Sequence, residues 1–405
     1  MIVRPVLSAP ADGGPGWARF CLALILWLGT LTALGCRGPQ EAPDYARPLP
    51  PGEKALRLVH PEWRDRIIQE TATQLAEPGF AEALGRSADW FRIESTSQFF
   101  PVEGVTHDRA RRSVEALLEI GQIPDARVRA DRLAAGFDIY ESVGYDGQGV
   151  VFFTGYFSPE FSAALTPSGR FQYPIYRRPA DLVTDPATGT VLGRQDARGR
   201  MQPYPSRQEI EADNLLAGSE LVYLPSRLDA YSIEVNGSAK LQLLGGQTMY
   251  VGYAGTNGRP YTSIGRLLVA NGELDANTVS MPAIRQHFQQ HPRQLDEYIR
   301  QNERFVFFQE YPGVDWPAGS LGFKVSPRRS LATDKKIFPR GGAVMVSTLL
   351  PDGTQWQQLM LDQDTGGAIR APGRADIYFG TGPRAEKLSG AQAAEGRLFY
   401  LFLKQ

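Results

Sequence analysis

Asp364-Thr365-Gly366-Gly367-Ala368-Ile369, followed after Arg370–Arg374 by Ala375-Asp376-Ile377-Tyr378-Phe379-Gly380, is the stretch that decides the reading of this chain. Two acidic residues stand beside two glycines and within apolar runs of strand character. A carboxyl group in such surroundings loses water, which raises its pKa and lets it keep a proton near neutrality. A protonated carboxyl is what an enzyme needs to donate a proton to the oxygen of a sugar–sugar bond. On a strand, Asp376 and Tyr378 share one face, while Ala375, Ile377 and Phe379 share the other. That sets an acid beside an aromatic ring, a pairing suited to the partly apolar faces of sugars. The plainer alternative is that both aspartates only form turns next to glycine.

Outward from this stretch, the last hundred residues read as strands at Ala343–Leu350, Gln357–Asp362, Ala375–Phe379 and Arg397–Phe402. The middle of the chain reads likewise, at Gly149–Phe157, Leu221–Tyr223, Tyr231–Val235, Lys240–Leu244, Met249–Tyr253 and Phe305–Phe308. Helical spacing predicts helices over Ser263–Asn271, Met281–Gln290 and Pro292–Gln301. A helical portion, Trp63–Gly136, comes before the strands, with segments around Arg64–Leu75, Ala110–Leu118 and Asp125–Phe137. Thr166–Pro205 is rich in Gly, Pro and Arg and reads as a long functional loop or insertion. The fold class is mainly β with some α.

The chain has 405 residues and a formal charge of −1. That length allows two or three domains, and the balance of charge gives no basic surface for nucleic acid. Near the N-terminus, Cys21–Gly35 is an apolar run shorter than the ~20 residues a membrane-spanning helix needs. It ends in Ala33-Leu34-Gly35-Cys36, so residues 1–36 read as a lipoprotein signal with lipidation at Cys36. Residues 37–60, proline-rich at first, read as a tether. Arg37 follows the lipidated cysteine, which favours the periplasmic face of the outer membrane. No other cysteine follows Cys36, leaving neither a disulfide nor a thiol nucleophile in the body of the protein.

Other chemistries find little footing. His287 and His291 have i, i+4 spacing, but Phe288-Gln289-Gln290 lies between them, without the glutamate of a zinc protease motif. They read as helix surface and no metal is expected. A Gly-x-Ser-x-Gly elbow and a glycine-rich phosphate loop are both absent, so no cofactor is implied. Carboxylates remain: Asp334, Asp364 and Asp376.

At these residues the chain resembles the membrane-bound lytic murein transglycosylase A family. The resemblance runs in order through Thr154-Gly155-Tyr156-Phe157-Ser158-Pro159, Phe171-Gln172-Tyr173-Pro174-Ile175-Tyr176 and Pro205-Ser206-Arg207-Gln208-Glu209-Ile210. It continues through Tyr253-Ala254-Gly255-Thr256-Asn257-Gly258, Tyr261–Gly265 and Asn302–Phe308, and ends in a module of three aspartates at Asp334, Asp364 and Asp376. The chain departs from the family at Asn236-Gly237-Ser238-Ala239, at Ile369-Arg370-Ala371, where the family has Ile-Lys-Gly, and in the loop before Asp376.

The resemblance implies a double-psi β-barrel domain with N-terminal helices, from 61–158 and 309–405, with the three-aspartate module at 318–390. A second β-rich domain is inserted at 159–308, and glycan lies in the groove. It implies a lytic exotransglycosylase that acts on peptidoglycan glycan strands. Such an enzyme cleaves the β-1,4 bond from N-acetylmuramic acid to N-acetylglucosamine and leaves a 1,6-anhydromuramyl end. Asp376 would be acid and base in turn, with Asp364 in support. Tyr156, Tyr253 and Tyr378, with Gly366 and Gly367, are candidate sugar contacts, each with a plain alternative as packed core or turn. Two other readings stay open: a glycan-binding lipoprotein without activity, and a hydrolase using Asp376 with Asp364 as its water-activating base.

Overall fold

The computed structural model describes residues 43–405 apart from 187–188, 197 and 276–278. The chain divides into two units, Met1–Pro43 and Asp44–Gln405. The fold below is that of the second. Cys36 and the signal reading lie outside the described residues. No helix among those described is long and apolar enough to cross a membrane.

Six strands close on themselves. Ala393–Leu403 pairs with Ala343–Leu349, which pairs with Gln355–Asp364. Ser330–Ala332 joins next, parallel to Gln355–Asp364 and antiparallel to Arg374–Thr381. Arg374–Thr381 then runs parallel to Val151–Ser158, which returns to Ala393–Leu403. The ring leaves none of its six strands as an open edge within the circuit. Phe153, Ile377, Leu359, Val344 and Phe399 form its core together with the helices that cover it. Two further strands, Leu56–Leu58 and Phe137–Ser142, extend the sheet from the long C-terminal strand.

Helices Pro61–Gln74, Phe80–Phe91, His107–Gly121 and Ala126–Gly136 pack on the barrel. Each presents apolar residues at helical spacing, as in Ile67, Ile68, Thr71 and Ala72 of the first. Thr106 and Asp125 cap two of them, each accepting a backbone N–H of the first turn. The helical portion and the C-terminal strands thus match the sequence reading. Phe80–Phe91 and the C-terminal helix Gly382–Ala391 had gone unread.

Between the first and last barrel strands the chain builds other sheets. Val306–Tyr311, Thr248–Thr256, Ser238–Leu243 and Glu160–Ala163 form one of four strands. Tyr173–Tyr176 pairs with Glu220–Leu224. Leu182–Thr184, Val191–Gln195 and Met201–Gln202 form a third sheet, so the expected long loop at 166–205 carries short paired strands.

Three readings need correction. Tyr231–Val235 is not a strand but part of the helix Arg227–Asn236. The Ser226 hydroxyl accepts from the Asp229 backbone, Gly237 closes the helix at φ 73°, and these end signals outweigh a period of two. The tether does not stay free to residue 60. Tyr45 already stacks on Phe152 at 4.5 Å, Ala55 is fully buried, and Leu56–Leu58 is a strand. His287 is not on a helix surface either. It is buried, with Nε2 2.8 Å from Glu273 and 3.2 Å from Gln294.

Candidate functional site

The parallel register sets Asp376 opposite Thr154 and Tyr378 opposite Tyr156. Along each strand every second residue faces the same way, so Thr154 and Tyr156 meet Arg374, Asp376 and Tyr378 on the surface away from the barrel core. Ala375, Ile377 and Phe379 point the other way and are buried in that core. Gly155, between the two site residues, has no room for a side chain. A Cβ there would lie 2.6 Å from the Phe379 ring and 2.7 Å from the Ser389 backbone of the C-terminal helix. That close approach fixes the height of the strand carrying Thr154 and Tyr156.

Asp376 is half-buried. Its Oδ1 accepts from the Thr154 hydroxyl at 2.8 Å. Loss of water dominates its titration and pushes the carboxyl from 3.8 up to about 6. The Thr154 hydrogen bond and the Arg374 cation pull it down, and the Asp364 charge pushes it further up. Desolvation therefore wins over two stabilising contacts.

Asp364 is fully engaged. Oδ1 accepts from the backbone N–H of Ser320 and of Thr365, each at 2.8 Å, and Oδ2 accepts from the Tyr156 hydroxyl at 2.8 Å. Burial raises its pKa, against the pull of these donors and of Lys335. With both oxygens holding donors, Asp364 is built to hold position more than to activate a water molecule.

The third aspartate serves the loop between the other two. Asp334 is buried and accepts from the Lys336 N–H at 3.1 Å and the Ala371 N–H at 3.0 Å. Ala371 has φ 66°, a left-handed conformation natural to glycine, and Asp334 holds it there. The substitution of the family's glycine thus falls on the residue where glycine is easiest.

The other candidates divide. Tyr156 and Tyr378 pack together with ring centres 5.1 Å apart. Tyr378 is 1% exposed and its hydroxyl donates to Ser158, so its surroundings are those of packed core. Tyr253 is 53% exposed and offers an open ring. Gly366 has Ile369 close by, and a side chain at Gly367 would run into the Arg304 guanidinium, a charge also felt by Tyr253. A pocket of about 330 Å³ lies beyond Tyr378, lined by Lys240, Tyr250, Trp316 and Lys324 among others.

Sequence reading passed over Thr154 as a site residue, although it shares a strand face with Tyr156 two positions on. Arg374 was also passed over, and only the pairing of distant strands reveals its place.

Residues 152–309 match the MltA specific insert domain and residues 329–402 the 3D domain. The chain is 35% identical over 276 residues to the membrane-bound lytic murein transglycosylase A of Escherichia coli K12, spanning 66% of this chain and 69% of that protein. The protein of the same name from Vibrio cholerae is 33% identical over 272 residues, 64% and 68% of the two chains. Among solved structures, the membrane-bound lytic murein transglycosylase of Agrobacterium tumefaciens superposes with a TM-score of 0.68 at 27% identity, covering 86% of this chain and 98% of that one. Escherichia coli MltA with bound chitohexaose gives a TM-score of 0.63 at 28% identity, covering 87% and 95%. On the strength of these matches, the chain belongs to the membrane-bound lytic murein transglycosylase A family.

Proposed function

We propose that this chain is a lytic transglycosylase that cleaves the β-1,4 bond between N-acetylmuramic acid and N-acetylglucosamine in peptidoglycan, with Asp376 as acid and then base. What supports the assignment of Asp376 is its half-buried place on the face it shares with Thr154 and Tyr156, where Thr154 donates to one carboxyl oxygen and loss of water pushes the carboxyl up to about 6. At that value about a tenth of the protein holds the proton at pH 7, against less than about a thousandth for an ordinary aspartic acid, and the same group, once ionised, is a competent base.

The steps balance without water. Asp376 gives its proton to the glycosidic oxygen, the bond from that oxygen to the muramyl anomeric carbon breaks, and the N-acetylglucosamine leaves with a 4-hydroxyl. The muramyl 6-hydroxyl oxygen then bonds to the anomeric carbon, and its proton returns to Asp376. The attacking hydroxyl belongs to the same sugar, so proximity supplies much of the rate and no second base is needed. Hydrolytic glycosidases need a second carboxylate to act as base or nucleophile. Asp364, with both oxygens occupied by donors, is poorly placed for that role.

The test is mass spectrometry of the soluble products that protein lacking residues 1–36 releases from purified peptidoglycan. Anhydromuramyl ends are expected, with loss of turnover in Asp376→Asn. Products heavier by one water would make the chain a hydrolase, and binding without products would make it a glycan-binding protein. We further propose that Cys36 carries a lipid, as the apolar run before it suggests and as the membrane-bound relatives support. Cys36→Ala should then move the protein from the membrane to the soluble fraction, and membrane retention in that variant would refute the anchor.

A further inference from the structure

Arg374 lies two residues before Asp376 on the same strand face, and the reading of Asp376 as acid/base leaves it without a task. Its guanidinium lies over the Phe152 ring, 5.3 Å from the centroid. Phe152 in turn stacks on Tyr45 at 4.5 Å, with the ring planes within 12°. Tyr45 is fixed by its own hydroxyl, which donates to Glu395 at 2.6 Å. A cation on two stacked rings is held in place. Among the described residues Arg374 makes no ion pair. The hydrogen bond that its guanidinium donates runs from Nη2 to the Thr154 hydroxyl oxygen, at 3.3 Å. Thr154 donates onward to Asp376 Oδ1 at 2.8 Å.

A threonine hydroxyl has one hydrogen and two lone pairs. If Asp376 placed its proton on Oδ1, that proton would be spent on Thr154. An arginine N–H aimed at the same oxygen disfavours a second donor there and turns the hydroxyl hydrogen away from the guanidinium, toward Oδ1. Oδ1 is then the acceptor, and the transferable proton sits on Oδ2. We propose that Arg374 is a positioning residue for the acid/base step, acting through Thr154 to fix which oxygen of Asp376 carries the proton.

The charges around the pair are few. Asp376 is faced by Arg374 from its own strand, by Thr154 and Tyr156 from Val151–Ser158, and by Asp364 from Gln355–Asp364. Arg374 feels Arg266 of the helix Ile264–Ala270 and Tyr45 of the N-terminal segment. Removing the Arg374 cation therefore leaves Asp364 as the principal charge acting on Asp376 and favours the protonated acid.

The proposal rests on Asp376 as acid/base, so Asp376→Asn is measured alongside. Arg374→Gln should lower kcat roughly 10- to 100-fold, the scale of a misoriented catalytic group, with KM moved less than about twofold. Its alkaline limb in kcat/KM should move up by about one pH unit, the lower end of what a neighbouring cation does to a carboxyl. Arg374→Lys should bring the limb back toward the parent while recovering only part of kcat, because an ammonium does not reproduce the geometry of the guanidinium. Thr154→Val should lower kcat as well, and the double variant should lose little more kcat than Thr154→Val alone, since Arg374 acts through that hydroxyl.

An unshifted limb with unchanged kcat in Arg374→Gln, or fully additive losses of kcat in the double variant, would overturn the proposal. If Arg374→Gln does not fold, as judged by circular dichroism, Arg374→Lys and Thr154→Val decide by the same limb and the same additivity. Turnover surviving in Asp376→Asn would instead sink the assignment of Asp376 and be seen as such.

Discussion

Asp376 carries a stability cost, one that the acid/base role proposed for it would require. In the folded chain it titrates near 6 against an ordinary 3.8, so its proton is held more tightly folded than unfolded. Stability from this group is fully present below pH 3.8 and is lost as pH rises through about 6. The loss is of order 1–3 kcal/mol at neutral pH, taken at about 1.4 kcal/mol per unit. Asp376→Asn keeps an oxygen to accept from Thr154 and sheds the charge. It should therefore melt roughly 2–4 °C above the parent at pH 7.5, with the gap closing by pH 4. Equal melting temperatures at both pH values would show that burial does not tax this carboxyl. In catalysis the same titration predicts that kcat/KM of the parent falls on the alkaline side from about pH 6, the pKa of the free enzyme's acid. A pH–rate profile measured on short glycan fragments checks this.

At the scale of elements, the loop from Asp364 to Asp376 depends on Asp334. Asp334→Ala would leave the N–H groups of Lys336 and Ala371 without their acceptor and release Ala371 from its left-handed conformation. The expected loss is roughly 1–3 kcal/mol in a denaturant titration, together with lowered activity. Full activity with unchanged stability would show that the loop holds itself. This element also shows what the sequence could and could not disclose. The apolar alternation of Ala375, Ile377 and Phe379 was enough to place Asp376 on the opposite face of a strand, because a strand repeats every two residues. Its partner on that face was not legible. Thr154 and Asp376 are 222 residues apart, and only the pairing of their strands shows that they meet. The helix at Arg227–Asn236 was lost for the opposite reason, since Tyr231, Ile233 and Val235 alternate by chance while the decisive signals, Ser226 and Gly237, stand at its ends. Tyr378 illustrates a third limit: the face was read correctly, but the packing of Tyr156 against it, which buries it, depends on a neighbouring strand.

For the molecule as a whole, the barrel wall encloses an ion pair. Lys335 and Asp362 bond to each other within the wall, and Asp362 also accepts from Thr333 and Tyr400 at 2.8 Å each. Burial drives the Lys335 pKa down, and the Asp362 charge holds it up. Lys335→Met alone should cost roughly 3–5 kcal/mol by stranding a buried charge, and adding Asp362→Leu should recover part of that loss. Chemical denaturation of the two variants measures it; a single variant no less stable than the double would contradict the pairing.

The parallel register of Arg374–Thr381 on Val151–Ser158 has one more consequence, in time. A chain leaving the ribosome presents Thr154 and Tyr156 long before Asp376 exists beside them. No amino-terminal portion that ends before residue 376 contains the acid proposed here, however well that portion folds. The chemistry proposed for this face therefore has to wait until Arg374–Thr381 has joined Val151–Ser158.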